Sequence, residues 1–176
     1  MSLRFLWGAT LCCVGCVISG EGPEPIARGD DHGTAVLFDT PAVLTAVRDG
    51  DTIEVEVDQV AFVIRLLGVD TPELSGANGP EPYAVAAHAF TLARCADMVG
   101  LEFDQPSCKP PLPASGCYDI YGRLLAYVRT RDGNDLGAEL LLRGLAFVYN
   151  TSFARRPLYE ELQALAQEEG VGMWSN

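Results

Sequence analysis

One lysine, Lys109, serves a chain of 176 residues, and only two histidines, His32 and His88, stand beside it. Twenty-four acidic residues against twelve lysines and arginines leave a net charge of −12. Proteins that grip long duplexes do so through basic faces and counter-ion release, so this chain is not of that class. An enzyme is still allowed, because it needs positive charge only where one anionic group reacts. The histidines are far apart and no two Cys-x-x-Cys units occur, which removes the donors of a structural zinc site. There is no glycine-rich phosphate loop and no serine elbow with His and Asp partners. No apolar run reaches the roughly 20 residues of a membrane span.

What is present suits one globular domain: 48% of residues are apolar and 20% charged. The first twenty residues differ from the rest. Arg4 precedes an uncharged apolar run at 5–18, the pattern of a secretion signal. Val14-Gly15-Cys16 resembles the site at which bacterial lipoprotein signals are cut before an acylated cysteine. Cleavage after Gly20 without lipid is the alternative. The chain is therefore expected to be exported, either secreted or held at the bacterial cell envelope through a lipidated Cys16. Residues 21–36, rich in Gly, Pro and charge, read as a flexible leader, and 37–176 as the folded domain. No obligate protein partner is read from the sequence, and a monomer is the default.

An exported chain can form disulfides. Cys95, Cys108 and Cys117 are an odd number, so at most one bridge forms among them. Cys108 and Cys117 bracket a proline-rich stretch that suits neither helix nor central strand. Joining them would stabilise by about 2.5–3 kcal/mol on loop entropy. Cys95 reads as a small buried hydrophobe. The sequence leaves the pairing open.

Strand character appears at 42–48, 52–57 and 61–69, joined by Asp49-Gly50 and Asp58-Gln59. A helix is predicted over 81–98, followed by strands at 101–104 and 123–130. A short helix follows at 136–143, then an extended piece at 145–149. A last helix after Pro157 places Leu158, Leu162, Leu165 and Ala166 on one face. Five strands in meander order with helices inserted and appended predict an α+β, mainly β fold: a five-stranded OB-fold barrel with three α-helices.

The strand at 61–69 is apolar throughout except for Arg65. A guanidinium there is costly unless it reaches an anion or a carboxylate. Arg123 repeats the pattern at the head of the strand at 123–130. Singly, each arginine fits a structural ion pair, and Asp49-Gly50-Asp51-Thr52 fits a solvated turn. Asp70-Thr71-Pro72-Glu73 could likewise be a loop started by Asp70. Antiparallel pairing of the second and third strands, however, can bring Asp51 near Asp70. Carboxylates, a carbonyl and waters make an oxygen site suited to a hard ion such as calcium. Two arginines at that corner would clamp a phosphate, and Glu73 is the free carboxylate that could align or deprotonate water.

Val47-Arg-Asp-Gly-Asp-Thr52, Ile64-Arg-Leu-Leu-Gly-Val-Asp-Thr-Pro-Glu73 and Tyr121-Gly-Arg-Leu-Leu-Ala-Tyr127 resemble the signature blocks of the staphylococcal nuclease family. Leu141–Tyr149 and Ala166–Trp174 are similar to its C-terminal part. The likeness spans about 42–174. It implies an OB-fold barrel that hydrolyses DNA and RNA with calcium, typically leaving 3′-phosphate ends. It further implies calcium ligands at Asp51, Asp70 and the Thr71 carbonyl. Arg65 and Arg123 would lie on the scissile phosphate, with Glu73 as general base or water-orienting group. Tyr121 would hold a neighbouring phosphate and Tyr149 would pack on a base or sugar. Ile120 stands where the family's best-known member has a lysine, so one phosphate contact is missing. The insertion between Cys108 and Cys117 lies just ahead of Arg123. The alternative reading is a catalytically silent OB-fold binding module of the cell envelope.

Overall fold

Residues 39–76 and 78–175 are described by the computed structural model, so the apolar run at 5–18, Cys16 and the leader at 21–36 lie outside the described residues. The elements in chain order are β1 (Pro41–Asp49), β2 (Thr52–Val57), β3 (Val60–Leu66), β4 (Val69–Asp70) and α1 (Ala84–Cys95). They continue with β5 (Met98–Glu102), β6 (Leu124–Arg129), α2 (Leu136–Leu142), β7 (Phe147–Val148) and α3 (Arg156–Glu169). The expected five-stranded barrel with three α-helices is present.

The strand order is not the expected simple meander. The closed ring runs β1-β2-β3-β6-β5, and the β3–β6 contact is parallel. An odd number of strands forces this, since a ring of five cannot alternate direction at every contact. The turn between β2 and β3 is Asp58-Gln59, both with positive φ (50° and 68°), the backbone that matches hairpin twist. The inward faces are filled by Ile53, Val55, Ile64, Val99, Leu124 and Ala126, all fully buried.

Three boundaries move from their sequence-based positions. The strand expected over 61–69 breaks after Leu66 and resumes as β4, which pairs with β7. Gly68 makes the break: its φ is +86°, and a Cβ there would fall 2.5 Å from the Phe153 ring. The helix expected over 81–98 covers only Ala84–Cys95, because Tyr83 and Ala96 both adopt positive φ. Met98, Val99 and Gly100 join β5 instead, where they pair with Val43, Ala42 and Pro41. Gly100 is thus a buried strand residue.

The α3 face is also rotated from the expected one. Leu158 and Leu165 are exposed, while Tyr159 and Ala166 are buried and Leu162 packs against the core. The Tyr159 ring packs against Phe153 and Tyr127, and its hydroxyl donates to Asp135 Oδ1 at 2.9 Å. A tyrosine that satisfies its hydroxyl in this way outcompetes a leucine for the core.

Arg155 fastens the start of α3 to the barrel, pairing with Asp135 (2.6 Å) and with Glu102, which also accepts from Arg129 Nε at 2.8 Å. Burial pushes the Glu102 carboxyl pKa up, but hydrogen bonds from Arg129 and Arg155 outweigh it and hold the group below the ordinary range. A depressed carboxyl adds stability above its unfolded pKa, about 4.3, and loses it as pH falls through the folded value. Glu102→Gln is therefore expected to cost about 1–2 kcal/mol at pH 7 in urea unfolding. The gap from the parent should narrow below about pH 4. An equal gap at pH 7 and pH 3 would show that the charged pair adds nothing.

Cys108 and Cys117 are joined by a disulfide and Cys95 is a free, buried thiol whose pKa burial pushes up to about 12.

Candidate active site

The pairing of β2 with β3 sets Thr52 opposite Arg65, and β6 lies parallel to β3 with Leu125 opposite Arg65. Asp51 just precedes β2, Arg123 just precedes β6, and Asp70 ends β4, so the predicted site residues meet at one end of the barrel.

Arg65 is the hub. Its Nη1 lies 2.7 Å from Asp51 Oδ2 and donates to the Val69 carbonyl at 2.7 Å, while Nη2 donates to Asp70 Oδ1 at 2.6 Å. The anion that an apolar strand needed for its one arginine is thus two carboxylates. Asp51 is almost fully buried, and both its oxygens are bonded. Its Oδ2 accepts from the Thr71 amide (2.8 Å) and hydroxyl (3.1 Å), and its Oδ1 from the Thr52 hydroxyl (2.9 Å). Gly50 permits this seating, since a Cβ there would lie 2.8 Å from both Thr71 Oγ1 and the Ala87 methyl.

Asp70 is half-buried. Burial raises its carboxyl pKa, the Arg65 charge opposes that rise, and the Asp51 and Glu81 carboxylates add to it. Glu73 is more exposed and makes no ion pair among the described residues. Its pKa is also raised, first by burial, then by a hydrogen bond and charge from Asp49, then by Asp51 and Asp70. The Glu73 backbone is clamped: its amide donates to Glu81 Oε2 and its carbonyl accepts from the Glu81 amide, both at 3.0 Å.

Arg123 enters from the far wall. Its Nε pairs with Asp119 Oδ2 at 2.7 Å and its Nη1 donates to the Thr52 hydroxyl at 3.2 Å. Tyr121 and Tyr149 are both exposed, and the Arg123 and Arg65 guanidinium carbons lie 5.4 and 5.8 Å from their respective ring centroids. A cleft of about 520 Å³ is lined by both arginines, Asp70, Glu73 and both tyrosines. Ile120 also reaches it and is 91% exposed, so no cation takes that place. Two guanidinium groups facing an unpaired carboxyl across such a cleft can bind a tetrahedral oxyanion and hold a water beside it.

Asp70, whose pKa is raised by burial and further by Asp51, marks a place where a cation would be welcome, and hard carboxylate oxygens suit calcium. Asp51 and Asp70, joined by one guanidinium, fit such an ion as a pair. Among the described residues no three Asp, Glu, His or Cys side chains form a ready-made cage, so carbonyl and water oxygens would complete the shell.

Sequence reading passed over Thr52, Asp49 and Asp119 as functional contacts. Asp119 carried a usable signal: an acid four residues ahead of Arg123, in a turn whose Gly122 has φ of +77°.

The family model described as "Staphylococcal nuclease homologue" matches residues 63–176. The chain is 35% identical over 161 residues to the thermonuclease of Staphylococcus intermedius, covering 89% of this chain and 86% of that protein. It is 36% identical over 135 residues to the thermonuclease of Staphylococcus hyicus, covering 74% and 73%. An uncharacterized protein of Methanocaldococcus jannaschii is 33% identical over 150 residues, covering 73% and 69%. Signature blocks, barrel and sequence relationship agree, and the chain belongs to the staphylococcal nuclease family.

Proposed function

We propose that the chain is a calcium-dependent nuclease that hydrolyses phosphodiester bonds of DNA or RNA and leaves 3′-phosphate ends. The observation that carries this reading is the convergence of Arg65 and Arg123 on one cleft with Asp70 and Glu73. The thermonuclease names of two relatives point the same way.

In this reading Arg65 and Arg123 hold the non-bridging oxygens of the scissile phosphate and gain strength as equatorial charge builds on phosphorus. Glu73, reached by solvent and paired with no arginine among the described residues, receives the proton of the attacking water. The new bond forms between that water oxygen and phosphorus. The phosphorus–O5′ bond breaks, and the 5′-oxygen leaves with a proton from solvent. Asp51, Asp70 and Thr71 would hold calcium, which supplies fixed positive charge beside the same oxygens. Tyr121 supports the neighbouring phosphate, and Tyr149 offers a ring for a base or sugar. We assign the nuclease domain to 37–176 and an export signal to 1–20, with Cys16 as the lipidation site if the chain is anchored.

Both arginines already have carboxylate partners, which favours a second reading, a silent module in which they are structural. One assay separates the two. Purified protein at millimolar calcium should cleave denatured DNA, and excess chelator should reduce the rate by about 10³-fold or more. The product ends should resist polymerase extension until treated with phosphatase. Cleavage that survives chelation would remove calcium from the reading; a folded protein that never cleaves would leave the silent module.

A further inference from the structure

Arg123 precedes β6 and, unlike Arg65, is not built into the barrel wall. Its guanidinium would sample several orientations unless something held it. Asp119 holds it. Its Oδ2 lies 2.7 Å from Arg123 Nε, and its Oδ1 accepts from the Arg123 and Tyr121 amides, each at 2.9 Å. The Asp119 amide in turn donates to the Arg123 carbonyl at 2.9 Å, closing the turn from 119 to 123 on itself. The stem is fixed as well: Tyr118 bridges Leu124, and Cys117 carries the disulfide to Cys108. With Nε held by Asp119 and Nη1 by Thr52, among the described residues Nη2 takes no partner. The Thr52 hydroxyl donates onward to Asp51 Oδ1 at 2.9 Å.

We infer that Asp119 is a positioning residue for the nuclease reaction: through Nε it fixes the plane of the Arg123 guanidinium so that the remaining N–H donors face the scissile phosphate. This rests on the nuclease reading of the cleft. Two effects of the Asp119 charge oppose each other. A carboxylate beside the phosphate site repels substrate, so its removal should tighten binding. It also pre-orients a donor whose misplacement by about 1 Å can cost on the order of 100-fold in rate. Long-range repulsion in a solvated cleft is screened, whereas orientation acts directly on the transition state, so orientation prevails. Removing Asp119 should then lower kcat and leave KM nearly unchanged.

Asp119→Asn is the suitable variant, because its amide oxygen still accepts the two backbone amides that form the turn. Its kcat on denatured DNA should fall about 10- to 100-fold, with KM within about threefold of the parent, since the Arg123 charge remains. In an Arg123→Ala background the same change should alter kcat by less than about twofold, the non-additivity of two residues acting as a unit. Nitrogen-15 spectra provide a readout that does not depend on turnover. The Arg123 Nε–H should give a resolved, slowly exchanging signal in the parent and lose it in Asp119→Asn. Full additivity of the two substitutions, a lower KM with undiminished kcat, or an unchanged Nε–H signal would each overturn the inference. If the parent itself never cleaves, the nuclease reading falls and the inference falls with it, even where the Nε–H signal shows the guanidinium held.

Discussion

Arg65→Ala is expected to reduce cleavage by about 10³-fold or more and, in calcium-free buffer, to lower stability by about 3 kcal/mol. The two losses have one origin. Arg65 is nine-tenths buried, and among the described residues it is the only cation in contact with Asp51, which is buried still more deeply. Removing it leaves Asp51 charged with, among the described residues, neutral donors only, from Thr71 and Thr52. It also removes the fork of donors that the cleft offers a phosphate. Arg65→Lys separates the effects, since a lysine brings the charge but cannot reach two carboxylates and a carbonyl with a planar fork. Lysine should recover part of the stability and little of the rate. Urea unfolding with initial rates on denatured DNA decides the matter. An alanine variant as stable as the parent would show that the bridge to Asp51 and Asp70 contributes nothing.

Glu73→Gln should show the opposite balance, a fall in kcat of about 10³-fold with stability unchanged within about 0.5 kcal/mol. Glu73 makes no ion pair among the described residues, and its backbone clamp to Glu81 does not involve its side chain. Its raised pKa means that the fold tolerates the neutral form better than the charged one, so an amide removes repulsion from Asp49, Asp51 and Asp70. A carboxylate under such repulsion, with no ion-pair partner among the described residues, is of the kind that functional clefts hold. Thermal unfolding beside single-turnover rates tests this. Cleavage at the parent rate would remove Glu73 from the chemistry, and a large loss of stability would make its role structural.

The contrast between these two residues shows how much of the site could be read in advance. Arg65 stands out because an apolar strand offers a guanidinium no partner of its own, and Glu73 because it is the free carboxylate in the loop directly after that strand. The sequence could place both near Asp51 and Asp70 through hairpin pairing of the second and third strands. It could not show that Arg65 touches both acids at once, or that the Asp49 carboxylate accepts from the Leu74 amide beside Glu73. Those contacts depend on a turn seated under Thr71, which only the missing Cβ of Gly50 allows. Asp119 was passed over because a turn acid has many uses, and nothing along the chain tells which oxygen faces which nitrogen.

What the sequence alone determined about this protein is local. Apolar runs marked the strands, Asp49-Gly50 and Asp58-Gln59 marked the hairpin turns, and Pro157 marked the start of α3. These features are set by backbone sterics and by periodic burial, which act over a few residues. The tertiary structure alone decided the parallel β3–β6 closure, the break at Gly68, the rotated face of α3 and the joining of the two arginines through Thr52 and Asp51. The partners in that last chain are far apart in sequence: Thr71 lies 20 positions from Asp51, and Arg123 lies 71 from Thr52. Contacts of that range form only when the barrel closes, because closure overcomes the loop entropy that keeps them apart.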